Sequence, residues 1–103
     1  MNKNKVTFIL HKPQLSENIG ACARAIKNFN FQKLYLIDPK PIFPNDKILA
    51  TSVGAKDIIK KSKVFNNLES SLGDIDILIA TSARFRNKNV KHINLEGLKK
   101  IDF

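Results

Sequence analysis

The stretch Asn18-Ile19-Gly20-Ala21-Cys22-Ala23-Arg24 is the first place where residue type and spacing could do chemistry. It follows a short apolar run and opens a segment of helical periodicity. Gly20 and Arg24 are four residues apart and so share a helix face, which Lys27 continues one turn later. A helix start offers free backbone N–H groups and the positive end of a dipole. Gly20 omits a side chain that would obstruct a ligand, and Arg24 supplies a planar fork suited to phosphate. A phosphodiester or a ribose fits that description; a solvated helix face with an incidental arginine is the plainer alternative. The spacing is neither the dinucleotide-binding Gly-x-Gly-x-x-Gly nor a P-loop.

The second place is Thr81-Ser82-Ala83-Arg84-Phe85-Arg86. Small and hydroxyl residues let a ligand approach the backbone, while two arginines alternating with an aromatic suit phosphate contact and base stacking. A simple strand-ending loop is the competing reading. Other candidates are weaker. His11 and His92 lack partners at metal-ligand spacing, Asp74 and Asp76 flank a strand entrance and are expected to face solvent, and Cys22 reads as a small buried helix residue. Lys60, Lys61, Lys63, Lys99 and Lys100 read as solvated surface, with contact to RNA the alternative.

The elements that must position these groups alternate. Val6–Leu10 is a β-branched and aromatic run closed by His11-Lys12-Pro13, and reads as a buried strand. A helix follows, with Ser16 expected as its N-cap and Ile19, Cys22, Ala23, Ile26 and Phe29 as its core face, running to about Asn28 or Asn30. Leu34–Ile37 is a second strand, ended by Asp38-Pro39, and a proline-rich connection runs to Pro44. Asp46 is expected to cap a helix containing Ile48, Leu49 and Val53, with Gly54 marking a break before Ala55–Lys61. Lys63–Phe65 is a weaker strand, Asn67–Leu72 a short helix, and Ile75–Ala80 the strongest strand, apolar enough for the middle of a parallel sheet. The pattern predicts an α/β domain with a parallel sheet and flanking helices, and places chemistry beyond the C-terminal strand ends: His11–Arg24, Asp38–Pro44 and Thr81–Arg86.

A chain of 103 residues has room for one core. With 43% hydrophobic and 26% charged residues the composition is that of a soluble protein, and no apolar run approaches the roughly 20 residues that span a bilayer. No signal-peptide pattern follows the basic start, so a cytoplasmic location without membrane association is expected. A single cysteine excludes an internal disulfide and a cysteine-based zinc cluster. The net charge of +9 favours a polyanionic partner, nucleic acid foremost, although a lysine-rich coding bias would produce the same excess.

Together these motifs resemble the SpoU/TrmH family of the SPOUT superfamily of RNA 2'-O-ribose methyltransferases. Ser16 to Phe29 is similar to the family's Asn-x-Gly-x-x-x-Arg motif with its flanks, and Leu34-Tyr-Leu-Ile-Asp-Pro39 to the strand that follows. Val53-Gly-Ala-Lys-Asp57 resembles a Gly-Ala-x-Asp segment, and Thr81–Arg86 the Thr-Ser-Ala-Arg-x-Arg stretch of the TrmJ branch, so the likeness extends over residues 5–103. The resemblance implies S-adenosylmethionine-dependent methylation of RNA, with tRNA the favoured substrate. It implies Arg24 as the catalytic arginine supported by Asn18, cofactor contacts by Thr81, Ser82 and Ala83, and RNA contacts by Gly20, Lys27, Arg84 and Arg86. The methyl comes from a sulfonium, so no metal is implied.

The family pattern continues through Gly-x-Glu and Ser-Leu-Asn segments that form a trefoil knot and most of the cofactor pocket, and neither is present in these residues. Residues 1–103 are therefore expected to form a single truncated domain supplying the RNA-facing half of such an enzyme and inactive alone. The family implies a homodimer, and a separately encoded C-terminal piece would complete the site. A non-catalytic RNA-binding remnant is the alternative.

Overall fold

The computed structural model describes residues 2–79. A 3-10 turn at Lys3–Lys5 leads into strand β1 (Thr7–His11), helix α1 (Ser16–Asn28) and strand β2 (Lys33–Ile37). Helices α2 (Asp46–Thr51) and α3 (Lys56–Lys61), strand β3 (Lys63–Phe65) and the short helix α4 (Leu68–Ser71) follow. The three strands form one parallel sheet in the order β1-β2-β3, with His11, Ile37 and Phe65 in register at its C-terminal edge. This is the parallel α/β architecture that the alternation of elements predicts.

β2 is central, and its residues Leu34–Ile37 are all buried. Side chains alternate across a strand. Leu34 and Leu36 join Ile19, Ala23 and Ile26 of α1, Ile48 of α2 and Ile58 and Ile59 of α3 in one core, with Phe8 and Leu10 of β1 packed against it. Tyr35 and Ile37 point to the opposite face, where the Tyr35 ring lies 5.1 Å from that of Phe65.

Lys3 closes the far end of α1. Its ammonium donates to the carbonyl of Phe29 at 2.8 Å and lies 5.2 Å from the centre of the Phe31 ring. A cation there complements the negative end of the helix dipole.

Five expectations need correction. Phe29, expected on the core face of the first helix, lies just past the end of α1 and is 67% exposed. Leu15, not Ser16, occupies the N-cap position of α1 and caps nothing with its side chain; the Ser16 hydroxyl instead accepts from the Asn45 amide at 3.0 Å. Asn45, not Asp46, caps α2, its side-chain oxygen accepting from the Ile48 N–H at 2.8 Å. Val53 lies beyond the end of α2 and is exposed, because the chain turns out at Gly54, whose φ of +77° only glycine adopts freely. Ile75–Ile79 forms no strand: Ile77 is 57% exposed and Leu78 48%. A strand needs a ladder partner, and among the described residues none pairs with this segment or with the outer edge of β1.

Candidate nucleic-acid interface

α1 starts just past the C-terminal end of β1, so its first turn stands at the edge where chemistry is expected in such sheets. Asn18 is exposed in that turn, and Arg24 is exposed further along the helix. Six residues of helix separate the two by about 9 Å along the axis and about 120° around it. They are therefore not neighbours on one face.

The sequence reading of Gly20 also needs correction. Gly20 is buried, and a β-carbon at this position would fall 2.8 Å from the Thr51 β-carbon and 2.9 Å from the Thr51 carbonyl carbon. The missing side chain admits helix α2 rather than a ligand. Arg24, one turn along the same face, thus flanks the α1–α2 contact.

Lys27 is not free either. Its ammonium donates to Asp57 Oδ2 at 2.8 Å, tying α1 to α3, and this hydrogen bond holds the Asp57 carboxyl below its ordinary pKa. Glu17 pairs with Lys47 at 3.1 Å, tying α1 to α2, and its carboxyl is lowered chiefly by that bond. Both pairs face solvent, so each adds little stability. Arg24 makes no ion pair among the described residues.

Asn45 is the residue that sequence reading missed. Besides capping α2, its amide donates to Ser16 Oγ at 3.0 Å and to the Ile42 carbonyl at 2.9 Å, joining the start of α1 to the proline-rich connection. The available signal was an asparagine three residues before an apolar helical position. Cys22 is half-buried and packs against the core; desolvation raises the pKa of its thiol, which keeps it protonated and unreactive.

Thr81, Ser82, Ala83, Arg84 and Arg86 lie outside the described residues. The described residues do not by themselves fit S-adenosylmethionine. A groove of about 470 Å³ is lined by Phe43, Pro44, Leu49, Ile59, Ser62 and Val64 together with Lys60. It has the volume of a small-molecule site, but no acidic residue lines it to meet the ammonium of the methionine moiety. The second hollow, beside Phe8, Cys22 and Phe29, is about 140 Å³, below the size of such sites.

The sequence profile of the SpoU rRNA Methylase family matches residues 5–101. The tRNA (cytidine-2'-O-)-methyltransferase TrmJ of Methanocaldococcus jannaschii is 35% identical over 89 residues, covering 85% of this chain and 38% of the relative. The uncharacterized tRNA/rRNA methyltransferase LasT of Escherichia coli K12 is 42% identical over 85 residues, covering 82% of this chain and 36% of its own length. Among solved structures, a probable methylase family protein from Haemophilus influenzae Rd KW20 superposes with a TM-score of 0.75 at 32% identity, over 82% of this chain and 35% of that one. TrmJ from Z. mobilis ZM4 gives 0.64 at 35% identity, over 66% and 30%. The chain thus spans little more than a third of the length of these curated relatives. With the profile matching from Lys5 to Ile101 and the same parallel sheet recurring in solved relatives, the chain belongs to the SpoU methylase family.

Proposed function

We propose that this chain supplies the RNA-facing half of a 2'-O-ribose methyltransferase acting on tRNA, with Arg24 as the catalytic arginine. The observation that carries the reading is the state of Arg24. It is exposed, beside a helix–helix contact that fixes α1, and has no ionic partner among the described residues, while the nearby Lys27 and Lys47 are paired. The relatives named as TrmJ are tRNA 2'-O-methyltransferases, which supports tRNA as the substrate.

A guanidinium holds its proton in proteins and is a poor general base. Arg24 would instead bind a phosphate through its fork and stabilise the negative charge that develops on the ribose 2'-oxygen as its proton passes to an oxygen of the RNA phosphate. Asn18, on another face of α1, would contact RNA rather than act on Arg24. S-adenosylmethionine is the methyl donor that the family implies, with Thr81, Ser82 and Ala83 as its contacts. Arg84 and Arg86 would extend the RNA surface, and a homodimer or a C-terminal polypeptide would complete the pocket.

The test is transfer of labelled methyl from S-adenosylmethionine to a tRNA transcript, with the chain complemented by the C-terminal region of a TrmJ relative. Arg24→Ala is expected to lower the rate on the order of a hundredfold or more while the protein still unfolds at the wild-type urea concentration. Arg24→Lys is expected to fail as well, since a point charge cannot reproduce the fork. Activity retained by the alanine variant removes Arg24 from the mechanism.

A further inference from the structure

Three non-glycine residues have left-handed backbone: Lys12 (φ 53°), Asn30 (φ 64°) and Asp38 (φ 44°). Asparagine and aspartate enter this region readily because their short polar side chains bond locally, and Asn30 stands just after a helix end, where such a residue is common. Neither reason applies to Lys12. A long unbranched side chain gains nothing from a left-handed backbone that glycine would adopt more easily, so the local conformation gives no reason for a lysine here.

The place is specific. The Lys12 N–H donates to the Ile37 carbonyl at 2.7 Å, the Asp38 N–H to the Phe65 carbonyl at 2.8 Å, and the Lys40 N–H to the Pro13 carbonyl at 2.9 Å. The first and last of these bonds join the segment after β1 to β2 and its loop at the C-terminal edge of the sheet, and the second joins the β2 loop to β3. Lys12 and Lys40 are both exposed there. Lys3, Lys27, Lys47 and Lys63 each have a carbonyl, carboxylate or ring partner within the molecule. Lys12 and Lys40 have no ion pair or ring contact among the described residues, a state they share with Lys5, Lys33, Lys56, Lys60 and Lys61, and what sets them apart is their place at the C-terminal edge of the sheet.

We infer that Lys12 and Lys40 form a two-point phosphate grip for the RNA backbone at the strand ends. The grip rests on the RNA reading above and extends it from α1 to the β1 and β2 loops. The backbone bonds hold the two loops side by side, so both lysines start from one end of the sheet, which suits contact with phosphates of one strand and positions RNA without reading its bases.

Lys12→Gly separates this role from folding, because glycine relieves the left-handed backbone while deleting the charge. Binding of the full chain to a fluorescent tRNA transcript is measured by anisotropy over a salt series, with urea unfolding as the structural control. Lys12→Gly is expected to unfold at the same or a higher urea concentration, to bind about fivefold more weakly at low salt, and to show a salt slope shallower by about 0.7 to 0.9. Lys12→Arg should restore both affinity and slope, and Lys40→Ala should mirror Lys12→Gly. Wild-type affinity and slope in Lys12→Gly overturn the grip while leaving the RNA reading intact, as does a marked loss of stability in that variant. Absent or salt-insensitive binding by the wild-type chain overturns the RNA reading itself, and the grip with it.

Discussion

The segments Ile19–Ile48 and Asn66–Ile79 both carry aliphatic residues meant for a core, yet they end in different states. In the first, Ile19, Ala23, Leu36 and Ile48 are fully buried, and Ile26 and Leu34 nearly so. Two ion pairs fasten α1 to its neighbours. In the second, Ser71 is the one buried residue, and Ile77 and Leu78 stand half exposed. The difference is not composition. β2 has a strand on each side, whereas Ile75–Ile79 has no ladder among the described residues. Apolar character makes a segment available for burial; neighbours decide whether burial happens.

The largest expected effect breaks the first region and spares the second. Ile19→Ala removes a fully buried side chain at the centre of the core and should cost about 2 to 5 kcal/mol. Leu78→Ala removes a similar volume from a half-exposed site and should stay within about 0.5 kcal/mol. Urea unfolding of the two variants checks this directly. Equal losses would mean that residues near Leu78 are packed as tightly as α1, and the contrast would fail.

A smaller effect sharpens the account of how the first region closes. Gly20→Ala gains up to about 1 kcal/mol in helix propensity. It also drives a methyl into the Thr51 side chain and backbone, an overpacking that typically costs about 1 to 3 kcal/mol. A net loss of about 1 to 2 kcal/mol is expected from urea unfolding, with partial recovery in Gly20→Ala/Thr51→Ala because the Thr51 backbone stays in the way. A stabilised Gly20→Ala would show that α1 and α2 do not approach so closely, and would reopen Gly20 as a ligand-facing position.

Elements are more legible in the sequence than their partners. The strands at Thr7–His11 and Lys33–Ile37 and the helix Ser16–Asn28 follow from apolar spacing, since period is a local property, although Phe29, read as part of the core face, falls past the helix end and is exposed. What each end of a helix touches is not local. Ser16 has the residue type of a cap, but Asn45, 29 residues on, uses it as an acceptor and takes the capping role for α2 that Asp46 is expected to fill. Gly20 and Lys27 share one surface of α1, as their spacing says, yet that surface faces Thr51 and Asp57, which only the fold brings there. The same limit applies to Ile75–Ile79, whose strand character depends on an edge no local pattern supplies. The family motif at Asn18–Arg24 is legible because it is a continuous run. Thr81–Arg86 is equally legible as a motif, and it lies outside the described residues.

The smallest effect concerns the two ion pairs, and its pH dependence distinguishes them from the core they surround. Asp57 is lowered by its hydrogen bond from Lys27, and Glu17 by its bond from Lys47. A carboxyl whose folded pKa lies below its unfolded value contributes stability that is present above the unfolded pKa, about 4, and is lost as pH falls through the folded one. Asp57→Asn and Glu17→Gln should therefore lower the urea midpoint slightly at about pH 7, and the difference from the wild type should shrink as pH falls below about 4 and be lost once it has passed the folded pKa. Both carboxylates face solvent, so about 1 M salt at neutral pH should shrink the same differences. Ile19→Ala must behave otherwise: its loss comes from packing and should persist across the same pH and salt range. If Asp57→Asn kept its full effect in acid, Asp57 would hold α3 by something other than its charge, and Lys27 would be free to serve the RNA surface after all.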